Sequence, residues 1–400
     1  MRIVFVVGAT SIHTVRWIRQ LEGTGWDIHI VDPENSPIHP ELRGVTLHTG
    51  WAKEGGHPKG VRLATEWPFA RGRFVLARRF PRIWNRILRD GPRRLAAKLQ
   101  ELRPDLIHSQ ATQYSAYPLI AARDLLGGSL PAPWIHSTWG SDLFLYGVDP
   151  AHRERLRRVM GALDFLMTDC ERDVRMAREF AFKGEVLGVF PGGGGYPLEE
   201  MAEFRASGPP SGRRVIAVKG YQRPAGSALV ALAALGRCHE ALAGYEVVVH
   251  SSQPVVSEEV DRLAASGMNI RVVPRGPIEE IWRLLGASRI ALGVSRSDGT
   301  PNAMLEAMIL GALPVQTNPG GATAEWIEHG ANGLLIERPE VEDVAREVRR
   351  AVEDNALVDA AAEANTELAQ RRLQREEIRE RVIQAYEHAA RGAASGVEEL

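Results

Sequence analysis

The chain has 400 residues, 44% hydrophobic and 25% charged, with 49 basic against 50 acidic side chains and a formal net charge of -1. That length exceeds what one hydrophobic core serves, so two domains are expected, and the balanced composition excludes a disordered, collagenous or nucleic-acid-coating protein. Two cysteines, Cys170 and Cys238, make neither a disulfide framework nor a paired metal-ligand spacing, which fits a reducing cytoplasm. No window approaches the roughly 20 consecutive apolar residues that span a bilayer, so any membrane contact is expected to be peripheral.

In chain order, Ile3 to Val7 is an apolar run too short for a signal segment and reads as a first buried strand, closed by a turn at Gly8. Amphipathic Thr14 to Leu21 and apolar Ile28 to Val31 continue a β-α-β rhythm. Asp105 to His108, Trp134 to His136 and Phe165 to Thr168 repeat it, each strand ending in a polar residue before a helical pattern. A parallel sheet is the expected product. Within this half, Arg71 to Arg89 interleaves Arg with Phe, Trp, Ile and Leu. Such a face fits anionic lipid on the inner side of a membrane, and it equally fits a solvated basic helix that flanks a cleft or binds an anionic acceptor.

Ala206-Ser-Gly-Pro-Pro-Ser-Gly212 cannot continue a helix or a central strand. The expected boundary therefore separates an N-terminal domain, 1–207, from a second domain, 208–375. The rhythm restarts there with Val215 to Val218, Glu246 to Val249, Ile270 to Val273, Ile290 to Val294 and Leu313 to Gln316. Arg372 to Ala389 reads as a late helix, so 376–400 is expected to be a closing helix, free to cross back, with a frayed tail.

Ser297-Asp-Gly-Thr-Pro-Asn-Ala-Met-Leu-Glu306 follows the strand at Ile290 to Val294, at the carboxyl end where α/β sheets bind ligands. Thr300 is the expected N-cap and Pro301 the first helical residue, so a helix from Asn302 to Leu310 should aim its first amides outward, where they can receive phosphate. Gly299 allows close backbone approach, while Asp298 and Glu306 present two carboxylates suited to sugar and ribose hydroxyls. Alternatively, the segment is only a capped helix with an acidic start.

This segment, continuing as Ala307-Met-Ile-Leu-Gly-Ala-Leu-Pro-Val315, resembles the retaining glycosyltransferases of family 4, whose motif sets two acids eight positions apart; Asn318-Pro-Gly-Gly321, Glu325 and Gly330-Ala-Asn-Gly-Leu-Leu335 are similar to the same family. The resemblance implies a GT-B fold, two doubly wound Rossmann-like domains facing across a cleft. It also implies Asp298 on a donor-sugar hydroxyl, Gly299, Thr300, Pro301 and Asn302 along the sugar, Ala303 and Met304 amides on the diphosphate, and Glu306 on the ribose. Asp298 departs from the family's usual Glu by one methylene. Arg275 and Gly276 would border the nucleobase, with His250-Ser251 nearby.

A departing nucleoside diphosphate needs cations, for which Lys219 and Arg223 are the candidates, following the first strand of the second domain. Ala225 stands where the family usually has lysine. In the first domain, Gly8-Ala-Thr-Ser-Ile-His13 opens a helix, His108 and His136 each end a strand, and Asp142 closes His136-Ser-Thr-Trp-Gly-Ser-Asp142, so these groups are expected to converge at one crevice. By resemblance His136 touches the donor sugar, Gly8 lies on the donor side, and His13, His108 and Asp142 face the acceptor. The implied activity is transfer of a sugar from a nucleotide-diphosphate sugar to a hydroxyl acceptor with retention, by front-face substitution, without metal or cofactor and without nucleic acid. Three alternatives stand beside it: an inverting transferase with His13 as base, a nucleotide-sugar epimerase, and a silent sugar-binding relative.

Overall fold

The structure, a computed structural model, describes residues 1–34, 36–49, 57–65, 79–80, 91–274 and 276–395. Most of the Arg71 to Arg89 stretch, and Arg275, therefore lie outside the described residues. The chain divides into two compact units: Met1–Asp169, Asp173–Gly194 and Arg379–Leu400 form the first, and Cys170–Arg172 with Gly195–Ile378 form the second. No helix of the described residues is long and apolar enough to cross a membrane.

The first unit holds an eight-stranded sheet in the order β4-β3-β2-β1-β5-β6-β7-β8. Its members are β1 (Arg2–Val6), β2 (Asp27–Val31), β3 (Val45–Thr49), β4 (Val61–Thr65), β5 (Leu106–Gln110), β6 (Trp134–Ser137), β7 (Phe165–Thr168) and β8 (Glu185–Val189). The pairings are parallel, for example Phe5 opposite Ile30 on one side and His108 on the other. Ile3, Val4, Phe5 and Val6 are all fully buried because helices cover both faces of such a sheet, which is why the strand reads as an unbroken apolar run. Strand order reverses between β1 and β5, opening a crevice at their carboxyl ends.

The second unit holds six parallel strands in the order β11-β10-β9-β12-β13-β14, namely β9 (Val215–Lys219), β10 (Glu246–His250), β11 (Ile270–Val272), β12 (Ser288–Gly293), β13 (Leu313–Thr317) and β14 (Leu334–Ile336). Its order reverses between β9 and β12. One face packs Ala231, Leu232 and Leu235 against Val344 and Val348. The other packs Met304, Leu305, Met308 and Ile309 against Trp282, Leu285 and Trp326. The fold is GT-B, two parallel-sheet Rossmann-like units in one chain.

The change of unit falls at Gly194 and Gly195, ahead of the boundary expected at 207/208. Tyr196 and Met201 already pack with Ala217 and Trp282, so the helix Leu198–Ala202 belongs to the second core although it precedes the Gly/Pro segment. The late helix expected over Arg372 to Ala389 covers Arg375–Ser395, and a separate helix, Asn355–Arg372, precedes it.

Candidate functional site

In the second unit, β9 and β12 deliver the chemistry to the point of strand reversal. Lys219 ends β9, and the chain after β12 carries Asp298, whose Oδ2 lies 3.2 Å from Lys219 Nζ. Asp298 Oδ1 also accepts from the Gly299 amide at 3.1 Å. Gly220 is required here: a Cβ would stand 2.9 Å from Ser252 Cα and 3.0 Å from the His250 carbonyl oxygen, and its amide donates to that oxygen at 2.8 Å. His250, opposite Lys219 in register, is held down to about 4 by burial and then by the Lys219 charge.

The helix Asn302–Leu310 begins as expected, but Pro301 takes the cap position and supplies no side-chain cap. Thr300, expected as N-cap, instead accepts the Trp326 indole N–H at 3.1 Å through its Oγ1. The first amides and the dipole of a helix N-terminus are suited to an anion. Asn302 Oδ1 accepts from Tyr196 O–H at 3.1 Å. Gly299, Thr300, Pro301 and Met304 are buried, Asn302 and Ala303 half-buried, and Glu306 is 4% exposed one turn further in. The helix ends at Gly311 with φ 81, where only glycine is unstrained.

Arg223 sits in an exposed turn closed by the Gly226 amide on the Arg223 carbonyl at 2.9 Å. Ala225 is a main-chain anchor: its carbonyl accepts the Arg296 amide at 2.7 Å and the Ser297 amide at 3.2 Å. Gly276 is exposed, and a Cβ there would collide with the Glu280 carboxylate at 2.3 Å.

Sequence reasoning missed Arg172. Cys170–Arg172 belong to this unit, and Arg172 Nη1 donates to the Asp298 carbonyl at 2.7 Å and the Pro319 carbonyl at 2.8 Å. The Glu171 and Arg172 amides in turn donate to the Glu325 carboxylate at 2.7 and 2.8 Å. Nothing in the spacing of these residues signals the contact.

In the first unit, His108 and His136 are not at the surface. His108 is 0% exposed, with Nδ1 2.5 Å from Tyr386 Oη and Nε2 2.8 Å from Ser137 Oγ. Tyr386 also accepts the Trp17 indole N–H at 2.8 Å. Burial pushes the His108 imidazole well below its ordinary range and the Tyr386 phenol upward. His108, expected on the acceptor side, has both ring nitrogens hydrogen-bonded within its own unit. His136 is likewise 0% exposed, paired with Ser109 through Nδ1 and with Thr112 Oγ1 at 2.9 Å through Nε2, and burial holds it down to about 3.

His13 and Asp142 each neighbour Trp139. The His13 ring lies 5.1 Å from that of Trp139. Asp142 accepts the Trp139 amide at 3.0 Å and the Thr112 amide at 3.1 Å. Burial raises Asp142 to about 6, against the lowering effect of those two amides. Ala111, between β5 and a π-helical turn at Thr112–Ala116, has φ 65 and ψ 111, a strained conformation that Asp142 helps to hold. A Cβ at Gly8 would stand 3.8 Å from Ser36 Oγ, an ordinary contact, and the adjacent Ala9 amide is committed to Asp32 at 3.0 Å.

Residues 213–354 match the family model described as glycosyl transferases group 1. No curated protein matches the chain. Among solved structures, HepE of Anabaena in complex with UDP-glucose is 15% identical with a TM-score of 0.64, covering 97% of this chain and 100% of its own. Sucrose-phosphate synthase of Thermosynechococcus elongatus is 16% identical with a TM-score of 0.64 over 97% and 98%. The pneumococcal O-GlcNAc transferase GtfA, in complex with UDP and GlcNAc, is 14% identical with a TM-score of 0.56 over 74% and 59%. The chain has the GT-B fold, and residues 213–354 of its second unit are similar to the group 1 glycosyl transferases.

Proposed function

We propose that the protein is a glycosyltransferase that moves a sugar from a nucleotide-diphosphate sugar to a hydroxyl acceptor with retention. The observation that carries this reading is the grouping, at one strand reversal, of the Lys219 ammonium, the Asp298 carboxylate and the helix start at Asn302. A cation and helix amides are what a departing diphosphate requires, and a carboxylate is what a sugar hydroxyl requires. Lys219, Arg223 and the amide at Ala303 take the diphosphate, the Met304 amide being bonded to the Pro301 carbonyl at 3.0 Å; Asp298 holds the sugar and Glu306 the ribose. This assignment needs no metal.

In the front-face reaction the bond from the anomeric carbon to the phosphate oxygen breaks, and the acceptor oxygen bonds to the same face. The acceptor proton passes to the leaving phosphate oxygen, so no protein base is called for. His136, buried and neutral, does not serve as one. Because HepE and GtfA were solved with uridine nucleotides, UDP-sugars are the first donors to test.

The test is a panel of UDP-, GDP- and ADP-sugars followed by thermal unfolding and nucleoside diphosphate release. A true donor at 100 times its Kd stabilises by about 2.7 kcal/mol; no shift with any donor would refute the donor site. NMR of the product then reads the anomeric configuration, and inversion would overturn the retaining assignment.

A further inference from the structure

We propose that Arg172 is the positioning residue of the donor site, setting the main chain from which Asp298 reaches the sugar. The proposal rests on the donor reading above. Arg172 is 3% exposed, so its guanidinium is committed to fixed partners and is not a solvated charge. One nitrogen, Nη1, spans two carbonyls, Asp298 at 2.7 Å and Pro319 at 2.8 Å. These carbonyls belong to the loops that follow β12 and β13, so a single planar group sets the spacing of two neighbouring strand ends.

The clamp is itself anchored. Glu325 receives the Glu171 and Arg172 amides, one on each carboxylate oxygen. The Glu325 carbonyl accepts Arg372 Nη1 at 3.0 Å, and the Arg372 guanidinium lies 3.8 Å from the centre of the Trp326 ring, whose N–H reaches Thr300. The loop after β12 is therefore gripped at Asp298 and again at Thr300, on either side of Gly299.

Asp298 gives this grip its meaning. An aspartate has one side-chain carbon between Cα and carboxylate, so rotation cannot make good a shift of its backbone. Fixing the Asp298 carbonyl from behind, while its carboxylate pairs with Lys219, leaves one orientation open to a sugar hydroxyl. Arg172 touches no reacting atom in this scheme. It acts through Asp298, and pre-organisation of that kind appears in turnover more than in nucleotide affinity.

The experiment compares the full-length protein with Arg172→Gln and Arg172→Lys, using UDP and UDP-glucose as probes, or the donor the panel identifies. The expected result is unchanged affinity for the nucleoside diphosphate, loss of the added affinity contributed by the sugar, and a fall in kcat of at least tenfold with KM nearly constant. Lysine should restore part of the loss, since an ammonium still donates to carbonyls. If Arg172→Gln does not fold, Glu325→Gln, which weakens the same anchor, is expected to show the same split in smaller measure. Equal kcat and sugar contribution in every folded variant would overturn the proposal. Failure of the unmutated protein to bind any nucleotide would overturn the donor reading instead.

Discussion

Lys219→Met tests the donor site most directly because structure assigns its charge little to do for stability. The ion pair with Asp298 spans 3.2 Å, but the side chains are 26% and 28% exposed, so solvent screens it and removal should cost about 0–1 kcal/mol. The methionine keeps the stem and its packing. A hydrogen bond from an ammonium to phosphate contributes about 1.5–3 kcal/mol, so the Kd for the nucleoside diphosphate should rise roughly 10- to 150-fold. Titration calorimetry with UDP, or with the nucleotide the panel selects, reads the affinity, and urea unfolding reads the stability. Wild-type affinity in the variant would refute the phosphate role. A stability loss well above 1 kcal/mol would show that the pair is structural.

Asp298→Glu is expected to retain turnover and Asp298→Ala to lose it with donor affinity little changed, measured by steady-state kinetics; an active alanine variant would remove the sugar contact. Gly220→Ala places a Cβ 2.8 Å from Val249 Cγ1 and 3.0 Å from the His250 carbonyl oxygen, and the resulting overpacking should cost about 1–3 kcal/mol in thermal unfolding. For pH, His136 is depressed from 6.5 to about 3. Its folded form binds fewer protons, so the stability it confers is present above pH 6.5 and lost as pH falls, roughly 5 kcal/mol at most across the window. Asp142, raised from 3.8 to about 6, has the opposite sign: its folded form binds more protons, so stability falls by roughly 3 kcal/mol as pH rises from about 4 to 6. The histidine effect is the larger, so acid should destabilise the protein, His136→Asn should lessen the fall and Asp142→Asn should steepen it. Denaturation between pH 7.5 and 4.5 that shows no such divergence would contradict these assignments.

The apolar runs alone carried the alternation of strand and helix in both halves, because a parallel strand buried on two faces must be apolar throughout, as Ile3 to Val6 are. The strands β3 and β4 escaped that reading: Val45–Thr49 mixes threonine and histidine into its apolar residues, and Val61–Thr65 is only partly buried. The acidic pair and the helix start at Asn302 were legible because their spacing is local. Long-range partners were not. Tyr386 lies 278 residues from His108, and only the folded chain shows that it takes a ring nitrogen there. The strain at Ala111 and the hold of Arg172 on Asp298 have the same origin. Local sequence sets backbone preference and burial, while which polar group satisfies which is decided by tertiary contacts that no spacing encodes.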